Sequence, residues 1–194
     1  MILALTQQPS VLWYFARAAG FVSLLLLAAT VALGLAVTLR WRSKRWPTFI
    51  SEALHRYLST VLYVFIGIHV VTILFDPFTK FSLVDVLVPF VANYRPFWMG
   101  LGIASAELGL ALGLSIYIRP LIGYKAWRVL HYITYVTFPL AFLHGLYTGT
   151  DTRTWWGILV YAVAGGTVAV LFAARFIGAD SPGATLSPAT PARR

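Results

Sequence analysis

Five long apolar stretches, separated by short polar segments, dominate the pattern of residues along the chain. Four of them carry no charged residue, at 18–39, 57–75, 129–150 and 154–174, and a fifth at 96–118 is interrupted only by Glu107. Because a helix needs about 20 apolar residues to cross the hydrocarbon core of a bilayer, the pattern predicts an all-α integral membrane protein, a bundle of five transmembrane helices. The predicted spans are 13–39, 55–75, 96–118, 129–150 and 154–176, within a domain of residues 1–177.

The composition supports a membrane location and removes several kinds of chemistry. Apolar residues make up 59% of the 194 residues, charged residues make up 11%, and the mean hydropathy is +0.79, whereas a soluble domain carries about 25% charged residues. Cysteine is absent, which excludes disulfides, thiolate-held iron–sulfur clusters and the covalent attachment of a c-type haem. We expect no soluble domain after the last span, because residues 178–194 are rich in Pro, Ser, Ala and Gly and predict a disordered cytoplasmic tail.

The net charge of +9 comes from basic residues in the segments between the spans. This placement argues against nucleic-acid binding and instead predicts the topology, because Lys and Arg concentrate on the cytoplasmic side of membrane proteins. One side has Lys80, Arg95 and Arg153, with Arg17 at the outer start of the first span. Eleven basic residues lie on the other side: Arg40, Arg42, Lys44, Arg45, Arg56, Arg119, Lys125, Arg128, Arg175, Arg193 and Arg194. We therefore predict a multi-pass protein of the cell (cytoplasmic) membrane with its N-terminus outside and its C-terminus in the cytoplasm.

All four histidines lie on two of the predicted spans. His55 and His69 are fourteen residues apart on the second span, and His131 and His144 are thirteen apart on the fourth. Both spans run in the same direction, so His55 and His131 share an inner level, and His69 and His144 share an outer one. Two imidazoles that face each other across a bundle are what the axial ligation of a haem iron requires. Zinc or copper would need further Cys, Met or carboxylate ligands. Without cysteine, the haems would be of the b type.

The spacing of thirteen residues does not return to the same face of an ideal α-helix. At about 100° per residue, His144 points about 140° away from His131. Pro139 lies between the two histidines, and proline can kink a helix and alter its winding. We therefore expect irregular helix geometry in this segment.

The sequence resembles the ferric-reductase-like transmembrane domain shared by ferric reductases, NADPH oxidases and the haem-binding membrane subunit of the bacterial methionine-sulfoxide reductase system. In that family two helices hold two stacked b haems with histidines spaced fourteen and thirteen residues apart, as are His55 with His69 and His131 with His144 here. The segment WYFARAAG, followed by an apolar run and LRWR, is similar to the helix before the family's first histidine helix. The similarity covers about residues 11–176. The flavin and nicotinamide domain of NADPH oxidases and eukaryotic ferric reductases is not found in this sequence.

The resemblance implies transmembrane electron transfer through two haem b groups. The inner haem, ligated by His55 and His131, would accept electrons, and the outer haem, ligated by His69 and His144, would pass them to an unknown acceptor on the outer side. The chain would be the membrane component of an oxidoreductase, with any flavin carried by a separate cytoplasmic flavoprotein reductase. Two alternatives remain open. One is a quinol-linked dihaem anchor subunit that passes electrons to a periplasmic reductase, and the other is a non-enzymatic metal-binding or transport membrane protein.

Several further residues are candidates for roles around the histidines. The resemblance places Arg17 at the ARA position, where the family's arginine is implicated at the outer haem, so that Arg17 would pair with a propionate. Glu107 falls near the middle of the third span, where a charged carboxylate costs at least about 2.5 kcal/mol, and a proton relay or a quinone site would use such a group. The outer loop 76–95 is expected to be interfacial or re-entrant and to cap the outer haem. Trp98 is interpreted as a residue of the interfacial aromatic belt.

Overall fold

The computed structural model describes residues 9–39 and 47–179, and it contains helices and no strand over those ranges. The helices are α1 (Val11–Thr38), α2 (Thr48–Leu74), α3 (Leu83–Leu87), α4 (Pro96–Leu114), α5 (Arg119–Tyr132), α6 (Thr134–Thr148) and α7 (Trp155–Ala179). Within the described ranges, five stretches are long and apolar enough to cross a membrane: Val11–Thr38, Phe49–Leu74, Pro96–Tyr117, Arg119–Thr148 and Trp155–Arg175. The prediction of an all-α bundle with five spans is therefore confirmed.

Two helix limits differ from the predicted spans. Helix α2 begins at Thr48 rather than near residue 55, so His55 lies well inside the helix and not at its start. Helix α5 begins at Arg119 rather than near residue 129. It bends at Gly123, which has a positive φ of 79° that glycine adopts without steric strain. The predicted tail beyond residue 179 and six of the basic residues used for the topology lie outside the described residues: Arg40, Arg42, Lys44, Arg45, Arg193 and Arg194.

Helix α1 is the central helix of the bundle. It packs along α2 and also against α6 and α7, while α4 packs against α6. The buried apolar core lies between α1, α6 and α7 and consists of Leu24, Ala28, Val31, Leu35, Phe138, Tyr161, Ala164 and Val168. This core covers one face of α1, and α2 packs against another face of the same helix.

The helix that carries His131 and His144 is broken between them. Helix α5 ends at Tyr132 and α6 starts at Thr134. The Ile133 amide donates to the Leu130 carbonyl at 3.0 Å and the Val136 amide donates to the Ile133 carbonyl at 2.9 Å, which are both i to i−3 bonds. Such bonds wind the chain more tightly than an α-helix. The expected irregularity is therefore present, and it begins at Ile133, several residues before Pro139.

Tighter winding at Ile133 turns His144 part of the way toward the face of His131. Four full turns over thirteen residues require about 3.25 residues per turn, a value between the α-helix and the 3-10 helix. The hydroxyl of Thr134 donates to the His131 carbonyl at 2.6 Å, and the hydroxyl of Thr137 donates to the Thr134 carbonyl at 2.6 Å. Bonds of this kind bend helices, and Pro139 removes one further backbone donor.

One end of the bundle holds the start of α1, the loop 76–95 and the α6–α7 loop, and we call it the outer end after the predicted topology. Ser10 caps α1 by accepting a hydrogen bond from the Trp13 amide at 3.1 Å, and its hydroxyl donates to the Asp76 carboxylate. Asp76 is 2% exposed and also accepts from the Thr79 amide at 2.9 Å. The start of α1 is thus bonded to the end of α2.

The loop 76–95 contains the short helix α3, which begins with a capping box formed by Ser82 and Asp85. Val86 and Ala92 are buried, at 9% and 1% exposed, whereas Leu83 is 60% exposed. The loop therefore packs part of its apolar surface on the bundle and turns the rest outward, as expected of an interfacial segment. A position that caps an outer haem remains a prediction.

Asp76→Asn should lower the free energy of unfolding by about 1–3 kcal/mol at neutral pH, since Ser10 and Thr79 would lose a charged acceptor in a buried place. Burial raises the pKa of the Asp76 carboxyl, but the hydrogen bonds from Ser10 and Thr79 outweigh burial and bring the pKa below its usual 3.8. The stabilisation is therefore complete above pH 3.8 and is lost as the pH falls through the lowered folded-state value.

Thermal unfolding of wild type and Asp76→Asn in detergent, compared at neutral pH and below pH 3.8, tests this contact. The difference between the two proteins should shrink in acid. Asp85→Asn, which removes only the capping box of α3, is the control and should change the midpoint little. An equal difference at both pH values would contradict the assignment to the Asp76 carboxylate.

Candidate functional site

The four histidines form two pairs between α2 and the α5–α6 segment. The ring centroids of His55 and His131 are 6.0 Å apart with the ring planes at 74°. Those of His69 and His144 are 6.5 Å apart with the planes at 81°. All four side chains are partly buried. The structure thus brings together the same partners that the level argument predicts from the sequence.

The ring spacing in each pair leaves room for one metal ion. Two metal–imidazole bonds of about 2 Å each, plus about 1 Å from each ligating nitrogen to its ring centre, place two ring centroids about 6 Å apart. Across residues 9–39 and 47–179, no group of three or more His, Cys, Asp or Glu residues could hold a metal ion. Each pair therefore offers two nitrogen ligands, which suits a metal whose other positions are filled by a planar macrocycle such as haem.

Backbone carbonyls of neighbouring helices orient three of the four imidazoles. The Nδ1–O distances are 3.0 Å for His55 and Thr30, 2.7 Å for His69 and Ala16, and 2.9 Å for His144 and Trp98. A carbonyl oxygen only accepts hydrogen bonds, so the Nδ1 atom of each ring must carry the proton. The lone pair of Nε2 is then free to bind a metal, which is the arrangement seen at histidine metal ligands in general.

A glycine follows each of these three carbonyls four residues later along its helix. The pairs are Ala16 and Gly20, Thr30 and Gly34, and Trp98 and Gly102. In an α-helix the amide of residue i+4 bonds to the carbonyl of residue i, so a side chain at i+4 would stand over that carbonyl. Without one, an imidazole from the next helix can reach the oxygen.

The contacts around these glycines show how closely the rings approach. A Cβ atom at Gly102 would lie 2.4 Å from Nδ1 of His144, and one at Gly20 would lie 3.2 Å from the His69 ring. At Gly34 the nearest atom of His55 would be 3.5 Å away. Gly102 is therefore required for the ring position of His144, a side chain at Gly20 would be a tight contact with His69, and Gly34 leaves ordinary contact distance.

The two docking positions on α1 are in register with the two histidines on α2. Gly20 faces His69 and Gly34 faces His55, so the helices run antiparallel. The two glycines are fourteen residues apart, and so are the two histidines. A spacing of fourteen equals four turns at the 3.5-residue period of helices that pack side by side, so both rings meet α1 in the same way.

His131 is held differently from the other three histidines. Its Nδ1 atom is buried and has no hydrogen-bond partner within residues 9–39 and 47–179. Instead its ring stacks on the Trp127 ring, with centroids 4.9 Å apart and planes at 21°. The Trp127 indole N–H donates to the Ser115 hydroxyl at 3.0 Å. Stacking on an anchored indole, rather than a backbone hydrogen bond, therefore orients His131.

Arg17 lies directly after Ala16, whose carbonyl accepts the hydrogen bond of His69. Its guanidinium forms an ion pair with Asp151 of the α6–α7 loop, with Nε 2.6 Å from Oδ2, and lies 4.1 Å from the centre of the Trp13 ring. The sequence did not indicate this partner. Arg17 is thus close to the outer pair, and its contact with a haem propionate remains a prediction.

Glu107 is exposed on α4. It follows Gly102 by five residues, which corresponds to about 140° around the helix, and Gly102 faces His144. The carboxylate therefore points away from the outer pair, and a proton relay through that pair has no support from its position.

Sequence reasoning missed the glycines and the carbonyls that hold the histidines. Trp98 was interpreted only as a belt residue, yet its carbonyl accepts the hydrogen bond of His144. One signal was available, because Gly20 and Gly34 repeat the spacing of His55 and His69. The role of the Trp98 carbonyl could not be predicted from the sequence, because every residue has a backbone carbonyl.

The fold and the site together define a multi-pass helical membrane protein with two histidine pairs stacked inside its bundle. The chain matches the family described as ferric reductase like transmembrane component over residues 19–142, which is more than half of its length, and it belongs to that family. The resemblance inferred from the histidine spacing is confirmed. The matched range includes His55, His69 and His131. Comparisons with curated proteins and with solved structures gave no significant match.

Gly102→Ala should displace the His144 ring, because the new methyl group would lie within 2.4 Å of it. A ring that swings away loses its bond to the Trp98 carbonyl, and overpacking of this kind costs about 1–3 kcal/mol. The imidazole ¹⁵N chemical shifts of His144 should then lose the signature of a fixed Nδ1–H tautomer, and the unfolding midpoint should fall.

Gly67→Ala is the matched control, since nothing lies within 4 Å of a Cβ at that position on α2. Alanine favours a helix over glycine by about 1 kcal/mol, so this variant should be neutral or slightly more stable. If Gly102→Ala left the His144 tautomer and the midpoint unchanged, the close approach of α4 to the ring would be refuted.

Proposed function

We propose that the chain carries electrons across the membrane through two bis-histidine b haems, as the membrane component of a ferric-reductase-like oxidoreductase. Membership of the family suggests transmembrane electron transfer. The observation that carries the finer proposal is the presence of two histidine pairs whose rings lie 6.0 Å and 6.5 Å apart. His55 and His131 would hold the inner haem, and His69 and His144 the outer haem. The haem supplies one-electron redox chemistry at each site.

The residues of the chain prepare each site for this group. Three backbone carbonyls keep the Nδ1 proton of His55, His69 and His144 in place, so that Nε2 stays available. The levels of His55 and His69 are separated by about 21 Å along α2, which covers most of the roughly 30 Å of hydrocarbon in a bilayer. Two sites at these levels would divide the crossing into shorter steps.

Electron entry is proposed at the inner end of the bundle, from a separate cytoplasmic flavoprotein that carries the flavin. The exposed residues Arg119, Lys125 and Arg128 lie on α5 at this end, and such a basic surface attracts an acidic partner or anionic lipid. The same helix carries Trp127, which stacks on His131. A partner docked on α5 would therefore sit next to the inner pair. The N-terminus would be outside and the C-terminus in the cytoplasm, as the distribution of basic residues predicts.

Purified protein should contain about two b haems per chain with a low-spin spectrum, because imidazoles would occupy both axial positions of each iron. His55→Ala or His131→Ala should remove one redox component, and His69→Ala or His144→Ala should remove the other. Redox titration followed by optical spectroscopy measures this. Glu107→Gln serves as the control and should retain both haems. A content of one haem, or loss of the same component in His55→Ala and His144→Ala, would refute the pairing.

The haem-loaded chain alone should not be reduced by NADH or NADPH at a useful rate, because converting a hydride into single electrons requires a flavin or a similar carrier. Adding a flavoprotein reductase should restore reduction in stopped-flow measurements. If docking uses the basic face of α5, raising the ionic strength should slow the reaction, and so should Lys125→Glu. Lys80→Glu, at the opposite end, should have no such effect.

The possible outcomes separate the candidate functions. Reduction by a quinol analogue, without any flavoprotein, would favour the quinol-linked anchor subunit. Rapid reduction by NADPH with the pure chain and no added flavin would contradict the need for a partner. Absence of bound haem in protein prepared with sufficient haem would favour a non-enzymatic metal-binding or transport protein.

A further inference from the structure

An open cleft of about 530 Å³ lies at the outer end of the bundle, where α6 ends and α4 begins. Most of its wall is polar or aromatic: Tyr94, Arg95, Tyr147, Thr150, Thr152 and Arg153. None of these residues has a role in the proposed electron transfer. The cleft is large enough for a small molecule, and its composition differs from that of the apolar surfaces around it.

One wall of the cleft is connected to the outer histidine pair. Tyr147 follows His144 by about one helical turn on α6. The Tyr147 ring stacks on Trp98, with centroids 3.9 Å apart and planes at 18°. The carbonyl of the same Trp98 accepts the Nδ1 hydrogen bond of His144 at 2.9 Å. A molecule in the cleft would therefore lie against Tyr147, whose stacking partner Trp98 accepts the hydrogen bond of His144.

The charged groups of the cleft are cationic. Arg95 and Arg153 line it, and Arg153 is exposed. The nearby Asp151 does not line the cleft, and its carboxylate is buried in an ion pair with Arg17. Two guanidinium groups without a facing carboxylate attract anions, and guanidinium matches the geometry of carboxylates and other oxyanions.

The backbone around the cleft holds these groups in place. Arg95 has a left-handed backbone with φ of 44° directly before Pro96, and its guanidinium donates to the Tyr147 carbonyl. On the other side, the Arg17–Asp151 ion pair anchors the loop that presents Arg153. Arg95 therefore contributes to the wall as well as to the charge, whereas Arg153 is exposed and makes no ion pair with any described residue.

We propose that this cleft binds a small anionic one-electron acceptor that carries carboxylate or other oxyanion groups. One electron leaves the reduced protein and enters the acceptor, which becomes more negative by one unit; no covalent bond forms or breaks, and no proton has to move. The transfer step rests on the proposed function, but binding of the anion does not. The two statements can therefore be tested separately.

Binding is tested with tris(oxalato)chromate(III), a carboxylate-bearing trianion that is resistant to reduction, by titration calorimetry on the full chain in detergent at low ionic strength. Arg153→Gln should weaken binding about three- to tenfold, because one of two nearby cations is removed. Arg153→Lys should retain most of the affinity. Lys80→Gln removes a cation of the same end that does not line the cleft, and it should leave the affinity unchanged. Equal affinity in wild type and Arg153→Gln, or an equal loss in Lys80→Gln, would overturn the proposal.

Transfer is tested by mixing the chemically reduced, haem-loaded protein with tris(oxalato)ferrate(III) or with the cation hexaammineruthenium(III). Arg153→Gln should slow reoxidation by the anion about three- to tenfold and should not slow reoxidation by the cation. Equal slowing with both acceptors, or no slowing with either, would overturn the role of the cleft in transfer. If the chain holds no haem, the proposed function fails, and the calorimetric result still decides whether the cleft binds anions.

Discussion

The architecture depends on the hydrogen bond between a histidine Nδ1–H and a backbone carbonyl of the neighbouring helix. At all three accepting residues, Ala16, Thr30 and Trp98, the residue four positions later is glycine, and the closest ring approach is at Gly102. Each bond brings two helices close together and sets the tautomer of the ring. The same contact therefore recurs twice where α1 packs along α2 and once where α4 packs against α6, and it fixes three of the four imidazoles.

The two histidines on α2 and the two on the α5–α6 segment are aligned differently. On α2 the spacing of fourteen residues matches the period of helix packing, and α1 repeats that spacing with Gly20 and Gly34, so a continuous helix suffices. On α5 and α6 the spacing is thirteen residues, which a continuous α-helix cannot align. The interruption at Ile133 tightens the winding locally, and both His131 and His144 reach their partners on α2.

The number of spans, their helical character and the pairing of His55 with His131 and His69 with His144 could be predicted from the sequence. The length of each span, its apolar content and the histidine spacing are local or periodic properties, so they can be read from the sequence without knowing the tertiary contacts. Irregular geometry was expected around Pro139, but it begins at Ile133. The hydroxyls of Thr134 and Thr137 bond to backbone carbonyls in this segment, and the sequence alone does not reveal such bonds. The Arg17–Asp151 ion pair and the outer cleft could not be predicted, since they join segments that are distant in sequence and depend on how the loops fold back.

The unequal anchoring of the four imidazoles gives the two levels different electronic character. A hydrogen bond from Nδ1–H to a carbonyl makes an imidazole a stronger electron donor to a metal. Among the described residues, the outer pair has two such bonds and the inner pair has that of His55, because no described residue bonds to Nδ1 of His131. By this effect alone, an iron bound at the outer level would hold its extra electron less tightly than one bound at the inner level. The inner iron would then have the higher reduction potential, and the outer iron would be the stronger reductant toward an acceptor at the outer surface.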